Sequence, residues 1–357
     1  MPGTDHTSSC IWRLGRIAIL LTASLSAGGC YLLQAAGGQM ELTSKRQPIA
    51  KLLTDERTPE ELRARLEYVA AARTFASQEL GLPDNESYRS YADVGRPYVV
   101  WNVFATDEFS VQPKRWCFPI AGCVVYRGYF NEDSAKTYAR RLRLSGSDTA
   151  VGGVAAYSTL GHFKDPVLNT MLGWSDVQLA STLFHELAHQ VVYVPGDSEF
   201  NEAFATVVEE AGLQRWLAAR GRLQDLDAWN EQRERNAQFV KLLLQTRDRL
   251  DVLYHSDLPD DEKRERKQYE FGVLKLQYSQ LKADQWQGYR GYDAWFSRTL
   301  NNAHLVSAAT YYGCVPGLRR LLQSVNGDLP AFYEKARELA KETKEARAAA
   351  VCSESVE

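Results

Sequence analysis

His185-Glu186-Leu187-Ala188-His189 is the segment of this 357-residue chain whose residue types and spacing could do chemistry. Two histidines four apart share one face of a helix, near enough to hold one metal ion through neutral imidazoles. The glutamate beside the first histidine then reaches metal-bound water, where it can take a proton and later pass it to a leaving amine. With 6 His and 25 Glu in the chain, chance would produce this pattern roughly 0.007 times. Outside the motif, Thr182 to Val192 carries no charged or helix-breaking residue. Ser175-Asp176-Val177-Gln178 has the form of a capping box, which predicts a helix start that places the motif mid-helix.

A catalytic zinc takes three protein ligands and keeps one position open, so a third donor is needed downstream. Glu202 and Glu209 both qualify, since Glu202, Thr206 and Glu209 are four and then three apart and share a helix face. The turn at Val194-Pro195-Gly196-Asp197 would fold their helix back toward the histidines.

At these residues the chain resembles a known family. His185-Glu186-Leu187-Ala188-His189 looks like the signature of the zincin metallopeptidases. Asn201-Glu202-Ala203-Phe204-Ala205 is similar to the Asn-Glu-Gly-Phe-Ala segment of the gluzincin aminopeptidases, whose glutamate is the third zinc ligand. With its N-terminal segment, the whole chain resembles bacterial lipoprotein aminopeptidases of zincin type. The resemblance implies a zincin-like α+β fold, one zinc ion and hydrolysis of N-terminal residues from peptides. Local motif makes Glu202 the ligand. By count, the nineteen residues between His189 and Glu209 come closer to the long interval of the large gluzincins than the twelve before Glu202. Glu202 is taken as the ligand, with Glu209 supporting a histidine or anchoring the substrate's amino group.

In such enzymes a strand preceding the metal helix aligns the substrate. Here Gly152-Gly153-Val154-Ala155-Ala156-Tyr157-Ser158-Thr159-Leu160-Gly161 occupies that place, with Gly153, Ala155 and Tyr157 the candidates along it. No Met-Glu-Asn continuation follows the two glycines, so an endopeptidase using the same chemistry stays open. The resemblance also implies a Tyr or His that stabilises the oxyanion. Tyr311 is the choice, ahead of Tyr312 and His304, and Tyr193 lies close to the metal helix's end.

The elements that must position these residues follow from pattern. Hydrophobic residues at 45% and charged residues at 24% are ordinary for a folded protein and exclude a disordered, collagenous or multi-span chain. With 42 basic and 45 acidic residues, nothing suggests a nucleic-acid partner. Thr58-Pro59-Glu60-Glu61 starts a helix that stops near Gly81. Strand-like texture covers about 90 to 130, a charged helix spans Glu132 to Leu144, and a further strand runs from Ala150 to Leu160. From Ser175 onward only helical patterns occur. The expected layout is α+β, with a tether at 30–53 and a peptidase domain at 54–357, β-rich over 54–174 and helical over 175–357. Residues 221–286 read as an amphipathic, strongly charged helical hairpin. In a different class of function, that hairpin would dock a partner in a zinc-containing envelope protein that has no turnover.

Arg13 and Arg16 precede an apolar run from Ile17 to Leu25, then Ser26-Ala27-Gly28-Gly29-Cys30. A basic start, a short apolar stretch and small residues read as a secretory signal over 1–29. Cys30 resembles the lipidated cysteine of a bacterial lipobox. That implies a lipid anchor in the cell envelope, and Tyr31 after it points to the outer membrane, facing the periplasm. In that oxidising compartment, Cys117 and Cys123 could close as a local disulfide, leaving Cys314 and Cys352 to pair by elimination.

Overall fold

The computed structural model describes residues 31–118, 122–156, 158–159, 163–307 and 314–352. The segment expected as a signal, Cys30, Tyr157, Tyr311 and Tyr312 lie outside them. Helix α1 (31–45), strand β1 (Gln47–Pro48), α2 (Ile49–Thr54) and α3 (Glu60–Gln78) come first. Strands β2 (Ser90–Ala92), β3 (Val100–Asp107), β4 (Trp116–Phe118), β5 (Gly122–Val124) and β6 (Arg127–Tyr129) follow. Then come α4 (Glu132–Leu144), β7 (Ser147–Val154), β8 (Val167–Leu168) and α5 (Asn169–Leu172). The rest is helical: α6 (Asp176–Ala188), α7 (Ser198–Ala219), α8 (Asp225–Tyr254), α9 (Asp260–Asp284), α10 (Asp293–Phe296), α11 (Asn302–Val306), α12 (Val315–Ser324), α13 (Leu329–Lys341) and α14 (Lys344–Arg347). A π-helical turn, Ala348–Cys352, closes the described chain. The arrangement is α+β with small sheets. No described helix is long and apolar enough to cross a membrane.

Strand β3 is the middle of a β6-β3-β7 sheet and antiparallel to both neighbours. Its register sets Val100 opposite Val154, Trp101 opposite Gly153 and Tyr129, and Asn102 opposite Gly152 and Gly128. Because side chains alternate, Trp101, Val103 and Tyr129 pack on α4 through Ala135 and Ala139, whereas Val100 and Asn102 point the other way. That second face overlooks the helix that carries His185 and His189. A second sheet, β1-β2-β8, pairs β2 with β8 in parallel just upstream of α6.

The main core lies among α3, α6, α7, α12 and α13. On α6, Leu179, Leu183 and Leu187 make one buried row, and Ala180, Phe184 and Ala188 another. On α7 the counterparts are Phe200, Ala203, Phe204, Val207 and Val208. A Cβ on Gly212 would sit 2.8 Å from Leu80 and 3.1 Å from Phe184, so a larger residue here would have to displace the Leu80 side chain. The predicted charged hairpin is α8 and α9, which with α10 and α11 enclose a second core around Phe239, Leu243, Leu250, Phe271 and Leu274. Buried Lys267 on α9 donates to Asp148 on β7 (2.6 Å) and to the Glu108 carbonyl (2.8 Å), which ties the hairpin to the sheet.

Two expectations change form. Most of the segment 30–53, expected as a tether, is helical in α1 and α2 and packs inward through Leu42, Ile49 and Leu52. Tertiary contacts override the weak intrinsic pattern of its small residues. The strand expected at 150–160 runs from Ser147 to Val154, and the Ala155 carbonyl accepts instead from the Thr170 hydroxyl (2.6 Å). Both disulfides, Cys117–Cys123 and Cys314–Cys352, are formed.

Candidate functional site

Helix α6 starts at Ser175, whose hydroxyl accepts from the Gln178 N–H at 3.2 Å. It ends at Ala188, so the motif sits in the last turn with His189 as C-cap, not mid-helix. The final turn tightens: the Gln190 N–H bonds Leu187 (3.1 Å) and the Val191 N–H bonds Ala188 (2.9 Å). β-Branched Val191 and Val192 favour leaving the helix there.

The chain then reverses as the spacing requires. Gly196 takes a φ of +82°, open to glycine at little cost, and Asp197 caps α7 by accepting from Phe200. The Asn201 side chain locks the turn, accepting from the Val194 N–H and donating to its carbonyl, both at 2.8 Å. Arg347, buried, pairs with Asp197 at 2.9 Å. Glu202 and Glu209 therefore emerge two turns apart on the α7 face that meets α6.

His185 takes one carboxylate on each ring nitrogen. Nε2 lies 3.2 Å from Glu202 Oε2 and 3.2 Å from His189 Nε2. Nδ1 on the far side donates to Glu209 Oε2 at 3.0 Å. Glu202 Oε1 is 3.7 Å from His189 Nε2. The ligand atoms of His185, His189 and Glu202 lie within 4.8 Å of one another. A tetrahedral ion with bonds of about 2.0–2.1 Å spaces its ligand atoms roughly 3.3 Å apart, so the donor set and its spacing fit a divalent cation. Glu209 faces the other nitrogen and the neighbouring cavity, where it can orient the His185 ring but not share an ion with His189.

The charge balance points the same way. Glu186, Glu202 and Glu209 crowd two imidazoles in a mostly buried site. Burial alone would lower the His185 pKa, but hydrogen bonds to Glu202 and Glu209 push it up to about 10. Burial and the charge on His185 press His189 down to about 4. Burial pushes Glu186 up, while Glu202, despite its own burial, is held below its ordinary value by the two histidines. The carboxylates gathered around the two imidazoles thus supply negative charge that a bound cation would balance.

A cavity of about 480 Å³ opens over the cluster. It is lined by His185, Glu186, His189 and Glu202, by Val100 and Asn102 of β3, by Val154 at the end of β7, and by Ala156 and Ser158 beyond it. The Ser158 hydroxyl bonds Glu186. Beneath, the ring of Tyr88 is buried beside Glu186, held at a φ of +61° that an aromatic residue seldom adopts. Ser158 falls within the expected substrate segment but is not singled out there, and Tyr88 and Asn102 sit in no motif; the unusual backbone of Tyr88 is visible only in three dimensions.

The expected substrate strand is brought close in part. Val154, Ala156 and Ser158 reach the cavity, whereas Gly153 turns to the α4 side, its Cα against the Tyr98 ring. Ala155 is engaged through its carbonyl with Thr170, and Tyr157 lies outside the described residues. Tyr311 and Tyr312 are likewise undescribed. His304 does not line the cavity and is buried in α11 against Trp295. Tyr193, Tyr126 and Tyr31 are the described tyrosines that line the cavity.

A family model described as "Putative aminopeptidase" matches residues 30–351. The chain belongs to that family. Membership of this aminopeptidase family points to peptidase activity, and the match spans both the sheet and the helical part. No curated protein and no solved structure matches the chain.

Proposed function

We propose that the protein is a zinc-dependent peptidase of the aminopeptidase kind. The observation that carries this is the convergence of His185 Nε2, His189 Nε2 and the Glu202 carboxylate at 3.2–3.7 Å beneath an open cavity. His185, His189 and Glu202 would hold the ion, and two imidazoles with one carboxylate suit zinc. Bound there, zinc would polarise the substrate carbonyl and acidify a water molecule.

The chain's own residues do the rest. Glu186 lines the same cavity, and its burial raises its affinity for a proton, so it can take one from water and return it to the leaving amine. Ser158 holds that carboxylate in place. Glu209 orients His185 through Nδ1. Tyr311 remains the proposed oxyanion donor, with Tyr193, Tyr126 and Tyr31 the described phenols on the cavity wall. The protein works, in this proposal, from a lipid anchor at Cys30 in the bacterial envelope, where it meets peptides. An envelope endopeptidase is the second reading. It is favoured by one observation: among the described residues, Glu186 and Glu202 are the only carboxylates lining the cavity, so no further acid stands ready for a free ammonium group.

The test is zinc content and turnover of amino-acid amides for wild type, His185→Ala and Glu186→Gln. Wild type and Glu186→Gln should each carry one zinc, and His185→Ala none. Glu186→Gln should lose roughly 10²- to 10⁴-fold in kcat. A Glu186→Gln protein as active as wild type rules this mechanism out.

A further inference from the structure

The cavity's remaining wall comes from α1, the helix expected to be a tether. Tyr31 and Ala35 line the cavity together with the metal cluster. Gln34 between them uses its side-chain amide as a strand would use its backbone. Nε2 donates to the Gly128 carbonyl and Oε1 accepts from the Phe130 N–H, both at 3.2 Å. The first belongs to β6, the outer strand beside β3, and the second follows directly at its end. An extended peptide adding to that edge would need the same two groups. The helix is held firmly there: Arg127 stacks over the Tyr31 ring at 4.1 Å, Tyr31 meets Tyr129 edge-on at 5.7 Å, and Glu41 pairs with Arg96 at 2.8 Å.

The chemistry of the walls limits the occupant further. Val100, Val124, Tyr126, Phe130, Val154 and Ala156 make an apolar surround, and among the described residues no Lys, Arg or Asp lines it. The two lining carboxylates are those of the cluster itself. A charged side chain there would lose its hydration without a partner, whereas an aliphatic or aromatic one gains from burial.

We infer that α1 is a built-in stop of the substrate groove: Tyr31, Gln34 and Ala35 take the β6 edge and one cavity wall, leaving a pocket for a single apolar side chain of the substrate. The inference rests on the peptidase reading and deepens it, since trimming one residue at a time then comes from shape and needs no extra acid for the amine.

The test uses the zinc-loaded protein and two readouts. The first is binding of glycine, leucine, phenylalanine, lysine and glutamate hydroxamates, which share one metal-binding group and differ only in side chain. Leucine and phenylalanine probes should bind roughly tenfold or more tighter than lysine and glutamate probes. Ala35→Trp should weaken the leucine and phenylalanine probes by a similar factor and leave the glycine probe alone. The second readout is cleavage of leucine amide against N-acetyl-leucine amide and glycyl-leucine amide. Tyr31→Ala/Gln34→Ala, which loosens α1, should raise the rate on the two extended substrates relative to leucine amide. A flat side-chain profile, or an Ala35→Trp protein that weakens the glycine probe equally, overturns the pocket. No gain on extended substrates overturns the stop. Because probe binding does not need Glu186, failure of the catalytic proposal would show separately, as a Glu186→Gln protein with undiminished turnover.

Discussion

Replacing Glu202 or Glu209 by glutamine separates two roles that the chain's spacing left open. Both carboxylates reach His185, at 3.2 Å and 3.0 Å, but on opposite nitrogens. Only Glu202 shares its side of the ring with His189 Nε2. If a zinc ion sits where the two Nε2 atoms converge, Glu202→Gln removes one of its ligands. Spreading the roughly 10–16 kcal/mol of a four-ligand zinc site evenly gives ~2.5–4 kcal/mol per ligand, or ~10²- to 10³-fold in affinity. Glu209→Gln keeps all three ligands and loses only the charged acceptor at His185 Nδ1. Such outer partners contribute about 10- to 100-fold, or ~1.4–2.7 kcal/mol. The assay is zinc competition against a chromophoric chelator at fixed pH, with thermal unfolding of the metal-free proteins run alongside to exclude misfolding. Glu202→Gln should be the weaker binder by about tenfold. The reverse order would make Glu209 the ligand and refute the geometric argument, and equal affinities to wild type would remove both from the site.

Three further outcomes follow from the surrounding structure. His304 is buried and, aided by nearby Arg298, is held down to about 4, while in the unfolded chain it titrates near 6.5. The unfolded state therefore takes up a proton first as pH falls, and roughly 3 kcal/mol of stability is lost between pH 6.5 and pH 4. His304→Gln, which keeps an acceptor for the Asn301 cap, should flatten that part of the urea-unfolding profile; an unchanged pH dependence would show that His304 is not responsible. Arg347→Met strands the buried Asp197 carboxylate at the start of α7 and should cost about 3–5 kcal/mol, largely restored in Asp197→Asn/Arg347→Met. A loss below about 1 kcal/mol would mean that water reaches the pair. Cys314 and Cys352 close a loop over a sequence separation of 38, so Cys314→Ser/Cys352→Ser should lower unfolding stability by about 4 kcal/mol on chain entropy, with zinc content unchanged. Zinc loss in that variant would tie the C-terminal turn to the metal site.

What could be foreseen from the chain was whatever depends on local spacing. His185 and His189 meet because four residues make about one helical turn, and Glu202 and Glu209 share a face because seven make about two. The turn between them is written in Pro195, Gly196 and Asp197. Where spacing misled, three-dimensional packing had decided otherwise. The motif reads as mid-helix, yet α6 ends at Ala188 with His189 as its C-cap, because Val191 and Val192 must leave the helix for α7 to return. Gly153 reads as a cleft glycine, yet the β3–β7 register sends it to the Tyr98 side, with Gly152 and Val154 on the other. The largest miss is α1. Ala35, Ala36, Gly37 and Gly38 carry no pattern that distinguishes a packed helix from a linker. What orders them lies nearly a hundred residues away, in the Gly128 carbonyl and the Phe130 N–H that Gln34 engages. A segment specified only by distant partners is invisible to periodicity. In this protein that segment forms a wall of the candidate site, so the feature proposed to set substrate length is the one that local pattern could least reveal.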